Sequence, residues 1–372
     1  MNNGDGKNIL RHVYIHVPFC EKKCAYCSFY SVKYQDDLKE KYIKALYREI
    51  ELFQEKYTIK PYTIYLGGGT PSLLDPTEIQ EILEKFYLMD FREITIEANP
   101  QHLTHRYARD LKKTLVNRVS VGTQSFREIE LKTLGRIHTA RQNIKAYKNL
   151  RKAGFDNISL DFMYGLPGQT MDDVAISLQA LIKLDPDHIS TYCLSLDESV
   201  PLYSQRNAIP DDDDVAAFYD LIRRNLNAAF FTQYEISNFA RDGKHSQHNM
   251  CYWSDKRYLG FGPAASGYVD QMRYANPDDV DAWCANIAEN RVMPNAHSLS
   301  YAEWENEYIF LNLRKKEGIW LEDFERTFGV PFTDKYMSVL NKYADQLMRT
   351  PTHIFLRPEA YFVSNSLFTE FI

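Results

Sequence analysis

Tyr14-Ile-His-Val-Pro-Phe-Cys20-Glu-Lys-Lys-Cys24-Ala-Tyr-Cys27 is the stretch on which the reading of this chain turns. A strand-like run feeds directly into a loop spaced C-x3-C-x2-C. Three thiolates in so short a loop can hold three corners of an iron–sulfur cube, whereas a [4Fe–4S] cluster ordinarily takes four cysteines. A site with three leaves one iron open, and an open metal position is where chemistry happens. The competing reading is a zinc knuckle, which needs a fourth ligand at motif spacing. His12 and His16 precede the loop but lie within the strand run.

Working outward, short apolar runs alternate with amphipathic helical stretches. Strands are expected at 13–17, 62–66, 93–98, 118–121, 158–163 and 188–194. Helical pattern fills 36–53, 76–87, 104–113, the stretch up to 151, 171–184 and 212–229. Six strand–helix repeats predict an α/β fold with a parallel sheet and helices outside it. The handedness of the crossovers curls such a sheet into a barrel or an open part-barrel, and a partial (β/α)6 barrel is expected. Function then gathers at the C-terminal strand ends. The barrel is expected over residues 1–235, followed by an irregular connecting segment at 236–297. Residues 298–372 read as a small C-terminal helical, winged-helix-like domain. Its helices are expected at 301–315, 321–328 and 334–347, with a terminal β-hairpin of 354–357 and 361–363.

Composition sets limits. Hydrophobic residues make up 44% of 372, enough for a sizeable core. The net charge is −6 with Lys and Arg dispersed, which argues against nucleic acid as a partner. No apolar run approaches the length of a transmembrane segment. The N-terminal residues 1–7 are polar, unlike a signal peptide. Cys193, Cys251 and Cys284 are scattered, which is no disulfide framework. A cytoplasmic protein is expected.

Other motifs fall at strand ends. Leu66-Gly67-Gly68-Gly69-Thr70-Pro71 permits close backbone approach to a ligand. It is neither a dinucleotide fingerprint nor a Walker loop. Glu97, Gln124, Arg136 and Asp161 sit at or just beyond barrel strands. Together they suit a polar ligand, with acids for ribose hydroxyls and arginine for a carboxylate.

The cysteine loop resembles that of the radical S-adenosylmethionine (SAM) superfamily. In that family the open iron chelates SAM, and reduction yields a 5′-deoxyadenosyl radical. The order of the cysteine loop, Leu-Gly-Gly-Gly-Thr-Pro, Gly-Thr-Gln-Ser-Phe126, Asp161-Phe-Met-Tyr-Gly-Leu-Pro-Gly168 and Tyr234-Glu-Ile-Ser-Asn-Phe-Ala240 is more specific. It resembles the family of oxygen-independent coproporphyrinogen III oxidases and haem chaperones. The resemblance implies one [4Fe–4S] cluster on Cys20, Cys24 and Cys27. It implies SAM surrounded by Tyr14, Gly68, Gly69, Thr70, Glu97, Gln124, Arg136 and Asp161.

Within that family, the oxidases resemble C-x3-C-x2-C-x-C and carry an N-terminal extension. Here Phe29 takes the last position and the first strand begins near Val13. His248-Asn-Met-Cys-Tyr-Trp253 matches the H-N-x-x-Y-W signature associated with haem in the chaperone branch. Histidine is a common axial ligand of haem iron, so His248 is the expected ligand, with His245 or Cys251 next. Ser266 stands where the chaperone branch commonly has histidine. The resemblance implies haem and SAM as ligands and haem-receiving proteins as partners, membrane respiratory enzymes among them. A homodimer is compatible with it. The alternatives are oxidative decarboxylation of coproporphyrinogen III and radical modification of haem.

Overall fold

The computed structural model of the chain describes residues 9–254 and 257–371, so the polar run at 1–7 lies outside the described residues. Six strands run parallel in sequence order: β1 (Ile9–Val17), β2 (Thr58–Gly68), β3 (Glu93–Ala98), β4 (Arg118–Gln124), β5 (Ile158–Tyr164) and β6 (His188–Cys193). They form the middle of a nine-stranded sheet. Beyond β1, Leu259–Phe261 pairs in parallel, with Val13 opposite Leu259. Beyond β6, Asn238–Ala240 and then Thr232–Gln233 pair antiparallel. The segment read from sequence as a connector thus supplies a strand on each side of the six.

Period-two alternation explains the layers. Ile64, Leu66, Ile94, Ile96, Val119, Val121, Ile158, Leu160 and Ile189 are fully buried in the main apolar core, on the face packed against the helices. Their neighbours Tyr65, Glu97, Arg118, Ser120, Asp161 and Ser190 line a cavity on the other face. A parallel sheet covered on both faces ordinarily reads as continuous apolar runs. This one alternates because its concave face encloses polar space.

The outer helices follow their local signals. Helix Ala140–Ala153 opens with a Thr139–Gln142 capping box and stops at Gly154, whose φ of 94° is left-handed. Helix Met171–Lys183 opens with a Thr170–Asp173 box. The single helical stretch expected before Arg151 is two helices, Glu128–Thr133 and Ala140–Ala153. Gly135 breaks it with a φ of 71°.

A six-residue helix, Gln247–Tyr252, closes the end of the barrel where the strands begin. Ser246 caps it by accepting from the Asn249 amide. Glu93, at the start of β3, accepts from the backbone amides of Gln247 (2.8 Å) and His248 (3.1 Å).

Toward the C-terminus, helices Tyr301–Leu313 and Leu321–Phe328 accompany a three-stranded antiparallel sheet. The hairpin there is Leu347–Arg349 with His353–Leu356, and Ile319–Trp320 forms the third strand. Tyr361–Val363, expected as a strand, is not one. Tyr361 is instead a buried core residue just after a helical turn begun by Pro358.

Candidate active site

The C-terminal strand ends surround a cavity of about 450 Å³. Cys20, Cys24 and Cys27 all line it, half-buried and in no disulfide. The loop is held from several sides. The Ala25 amide donates to the Leu134 carbonyl at 3.0 Å, and the Leu202 amide to the Ala25 carbonyl at 2.9 Å. The Cys27 thiol is pushed up by burial first, and further by its neighbours Cys24 and Cys20. Among the described residues no three His, Cys, Asp or Glu groups gather tightly enough to hold a single metal ion. The three thiols face one cavity without closing around one point.

The glycine-rich turn passes beside this loop. Gly69 donates its amide to the Val17 carbonyl at 2.9 Å, and a Cβ there would stand 2.7 Å from the Phe19 carbonyl oxygen. Gly68 has a left-handed φ of 105°, and a Cβ there would meet the His16 ring at 2.5 Å. Thr70 directs its hydroxyl to Cys20 Sγ at 3.5 Å and accepts from Asn99 Nδ2 at 3.2 Å. Both glycines and Thr70 line the cavity.

Two acids face it from the strands. Glu97 accepts from the Tyr65 hydroxyl at 2.7 Å and the Gly68 amide at 3.1 Å. Burial nevertheless pushes its carboxyl up to about 7. Asp161 accepts from Ser120 at 3.1 Å, and burial raises it to about 6. Arg136 ties the loop to the strand ends, donating to Cys24 Sγ (3.4 Å), Asn99 Oδ1 (2.6 Å) and the Gly122 carbonyl (2.9 Å). Gln124, also on the cavity, holds a left-handed φ of 61°, a strained conformation for a residue with a side chain.

Two expected site residues sit differently. Tyr14 bonds to His16 Nδ1 at 3.0 Å and stacks on Tyr65 at 6.2 Å, behind the cavity wall. His248 is fully buried in the barrel floor. Its Nδ1 is bonded to Thr63 Oγ1 at 2.8 Å and its Nε2 to the Tyr252 hydroxyl at 2.7 Å. Its ring stacks on Tyr65 at 5.3 Å. Both nitrogens are engaged, so the expected axial ligand offers no lone pair to iron in this structure. Burial holds its pKa well below that of an ordinary histidine. Within the signature, Asn249 is the residue that reaches the cavity.

Tyr65, Arg118, Ser190 and Tyr192 also line the cavity and were not singled out from sequence. Alternation along β4 could have found Arg118, since Arg118, Ser120, Gly122 and Gln124 all face inward.

Three thiols on one loop at the mouth of a parallel part-barrel define a radical SAM protein, and the radical SAM superfamily model matches residues 14–181. A Lactococcus lactis relative named "Heme chaperone HemW" is 35% identical over 370 residues, covering 96% of each chain. The Bacillus subtilis protein of that name is 32% identical, covering 98% of this chain and 99% of its own. The Escherichia coli one is 36% identical over 69% of this chain and 70% of its own. The chain belongs to the HemW family of radical SAM proteins. Among solved structures, Escherichia coli coproporphyrinogen III oxidase (HemN) superposes with a TM-score of 0.86. It covers 98% of this chain and 90% of its own at 20% identity, a likeness of fold. A radical SAM protein takes a [4Fe–4S] cluster and SAM as cofactors. Among the described residues no helix is long and apolar enough to cross a membrane.

Proposed function

We propose that this chain is a haem chaperone that binds SAM and haem and delivers haem to haemoproteins, with membrane respiratory enzymes among the recipients. The observation that carries this reading is end-to-end similarity to relatives named haem chaperones. Phe29 supports it, standing 70% exposed at the cavity rim where the oxidases carry a further cysteine. Six cysteines outside any disulfide suit the reducing cytoplasm.

Cys20, Cys24 and Cys27 would hold the cluster, and Arg136 with Thr70 would donate to the sulfurs of Cys24 and Cys20. When bound, the cluster supplies the electron for reductive cleavage of SAM. Gly68, Gly69 and Thr70 leave room for SAM against the backbone. Glu97, Gln124 and Asp161 present acceptors for its hydroxyls and ammonium, and Arg136 holds the wall they share. Tyr14 backs Tyr65, which orients Glu97. Haem would lie toward the rim, where Phe29 offers an apolar face and Lys22 and Lys23 offer charge. His245 is half-buried and stacks on Tyr234 at 4.2 Å. Among the described residues its ring nitrogens make no hydrogen bond, but it sits beside the floor helix and not at the rim, so it is not assigned as the ligand of a rim-bound haem.

The test is anaerobic reconstitution of the cluster, followed by SAM with either haem or coproporphyrinogen III. Haem bound and passed to an apo-haemoprotein, with no protoporphyrinogen formed, is the expected result. Turnover of coproporphyrinogen would make the chain a decarboxylase instead.

A further inference from the structure

Asn99 stands just past the end of β3, on the cavity wall. Each of its polar atoms is engaged. Its carbonyl accepts from the His102 amide at 3.1 Å, and its own amide donates to Ser72 Oγ at 3.2 Å. Its Oδ1 accepts from Arg136 at 2.6 Å, and its Nδ2 donates to Thr70 Oγ1 at 3.2 Å. The same two side chains reach the cysteine loop. Arg136 donates to Cys24 Sγ at 3.4 Å, and Thr70 to Cys20 Sγ at 3.5 Å. One carboxamide therefore joins the donors of two expected cluster ligands.

The polarity of these bonds has one solution. A guanidinium has donors and no acceptor, so the Asn99 amide must turn Oδ1 toward Arg136. Its NH2 then faces Thr70, whose oxygen must accept. The single Thr70 proton is left to point elsewhere, and Cys20 Sγ lies within its reach. Arg136, held at one nitrogen by Asn99 and the Gly122 carbonyl, extends the other to Cys24. Gly122 leaves space for this, since a Cβ there would stand 3.2 Å from the Arg136 nitrogen and 3.6 Å from Asn99 Oδ1. The outer side of the loop has its own brace. Glu21, between Cys20 and Cys24, accepts from Gln101 at 3.0 Å and is bonded to His102 Nε2 at 2.7 Å. His102 Nδ1 is bonded in turn to Ser72 at 2.9 Å. That brace meets Asn99 through its backbone, so a change of the Asn99 side chain spares it.

We propose that Asn99 is a positioning residue for the cluster, its carboxamide aiming the Thr70 hydroxyl and the Arg136 guanidinium at the sulfurs of Cys20 and Cys24. Donors at those sulfurs stabilise the reduced cluster most, because it carries one more negative charge, and so they raise its reduction potential. Asn99 thereby sets how readily the cluster takes an electron. The inference rests on the reading of Cys20, Cys24 and Cys27 as cluster ligands, and cluster content distinguishes failure of that reading from failure of this one.

The test loads wild type, Asn99→Ala and Asn99→Asp with cluster anaerobically, each with and without Thr70→Val. Iron and sulfide are counted per chain, and the cluster is titrated against redox mediators with electron paramagnetic resonance as the readout. Asn99→Ala should load the cluster yet make it about tenfold harder to reduce, a fall of about 59 mV for one electron. Thr70→Val should lower the potential in wild type. It should lower it much less beside Asn99→Ala, where the hydroxyl is no longer aimed at Cys20. Asn99→Asp keeps an acceptor for Arg136 but turns the Thr70 proton toward the new carboxylate. It should blunt the Thr70→Val effect in the same way, and it carries the comparison if Asn99→Ala does not fold. An unchanged potential in Asn99→Ala at full cluster content would overturn the proposal. So would a Thr70→Val effect that is absent in wild type or equal in every background. Loss of the cluster from both Asn99 variants would make the side chain a brace of the loop and overturn it too. A wild type that binds no cluster would remove the cluster reading and take this assignment with it.

Discussion

Replacing His248 with alanine tests whether this ring holds the barrel floor or an iron. The ring is fully buried, bridges Thr63 and Tyr252, and lies against Tyr65. Truncating a buried ring of this size leaves a void worth about 2–4 kcal/mol. Stranding the Tyr252 hydroxyl adds about 1–2 kcal/mol, while Thr63 keeps His12 as a partner at 2.9 Å. The sum, about 3–6 kcal/mol, is a large part of the ~5–15 kcal/mol that holds a folded protein. At about 2 °C per kcal/mol for a long chain, the melting point should fall by about 6–12 °C. The damage should travel along one path. Tyr65 loses one of its two stacking partners and keeps Tyr14, its bond to Glu97 loosens, and SAM affinity drops about tenfold. The haem Soret band of any protein that remains folded should keep its position. Thermal melts, SAM calorimetry and haem absorption on the reconstituted variant measure all three. A wild-type melting point combined with a shifted or lost Soret band would make the ring an iron ligand in solution and refute the argument.

Alanine at Cys20, Cys24 or Cys27 should abolish cluster assembly, read as iron and sulfide per chain; full cluster content in a triple variant would contradict the assignment. SAM affinity should rise about tenfold or more from about pH 6 to about pH 8, as Glu97 and Asp161 ionise through about 7 and about 6. Tyr14, Tyr65, Tyr192, Tyr252, Arg118 and Arg136 are the other titratable groups facing them. The stability link has the opposite sign. Both folded pKa values lie above the unfolded ones, so stability contributed by these two acids is present at low pH and lost as pH rises through about 7. Calorimetry giving a flat SAM affinity across that window would exclude ionisation of these acids as the requirement. Gly69→Ala should cost at least tenfold in SAM affinity, because its methyl would press on two backbone carbonyls, Val17 and Phe19, that cannot rotate away. Unchanged binding would mean that the turn does not touch the ligand.

Much of the barrel was legible because its signals are local. Each parallel strand is an apolar alternation followed by a capped helix, and the cysteine spacing carries its chemistry on the surface of the sequence. What escaped depends on distance along the chain. Leu259–Phe261 is three residues long, and nothing nearby says that it will lie beside Val13. The His248 signature reads as a ligand motif because histidine and aromatics suit haem. Only the register of Thr63, Glu93 and Tyr65 shows that the same residues fit a floor. Arg118 looked like the start of a strand, and its place on the cavity is visible only once the strands are set side by side. The hairpin was misplaced because Tyr361 and Phe362 have strand-like side chains but pack as single apolar pegs after Pro358.

The placement of Leu259–Phe261 beside β1 bears on the order of biogenesis. A ribosome releases the cysteine loop early, yet one edge of its strand stays open until some 240 residues more have emerged. The floor segment that Glu93 anchors arrives only 154 residues after its anchor. Until then the nascent chain has a barrel without its floor and an unpaired strand edge prone to join another chain. A truncation that stops short of Leu259 would keep every residue that lines the cavity and still leave the strand before the cysteine loop with an open edge.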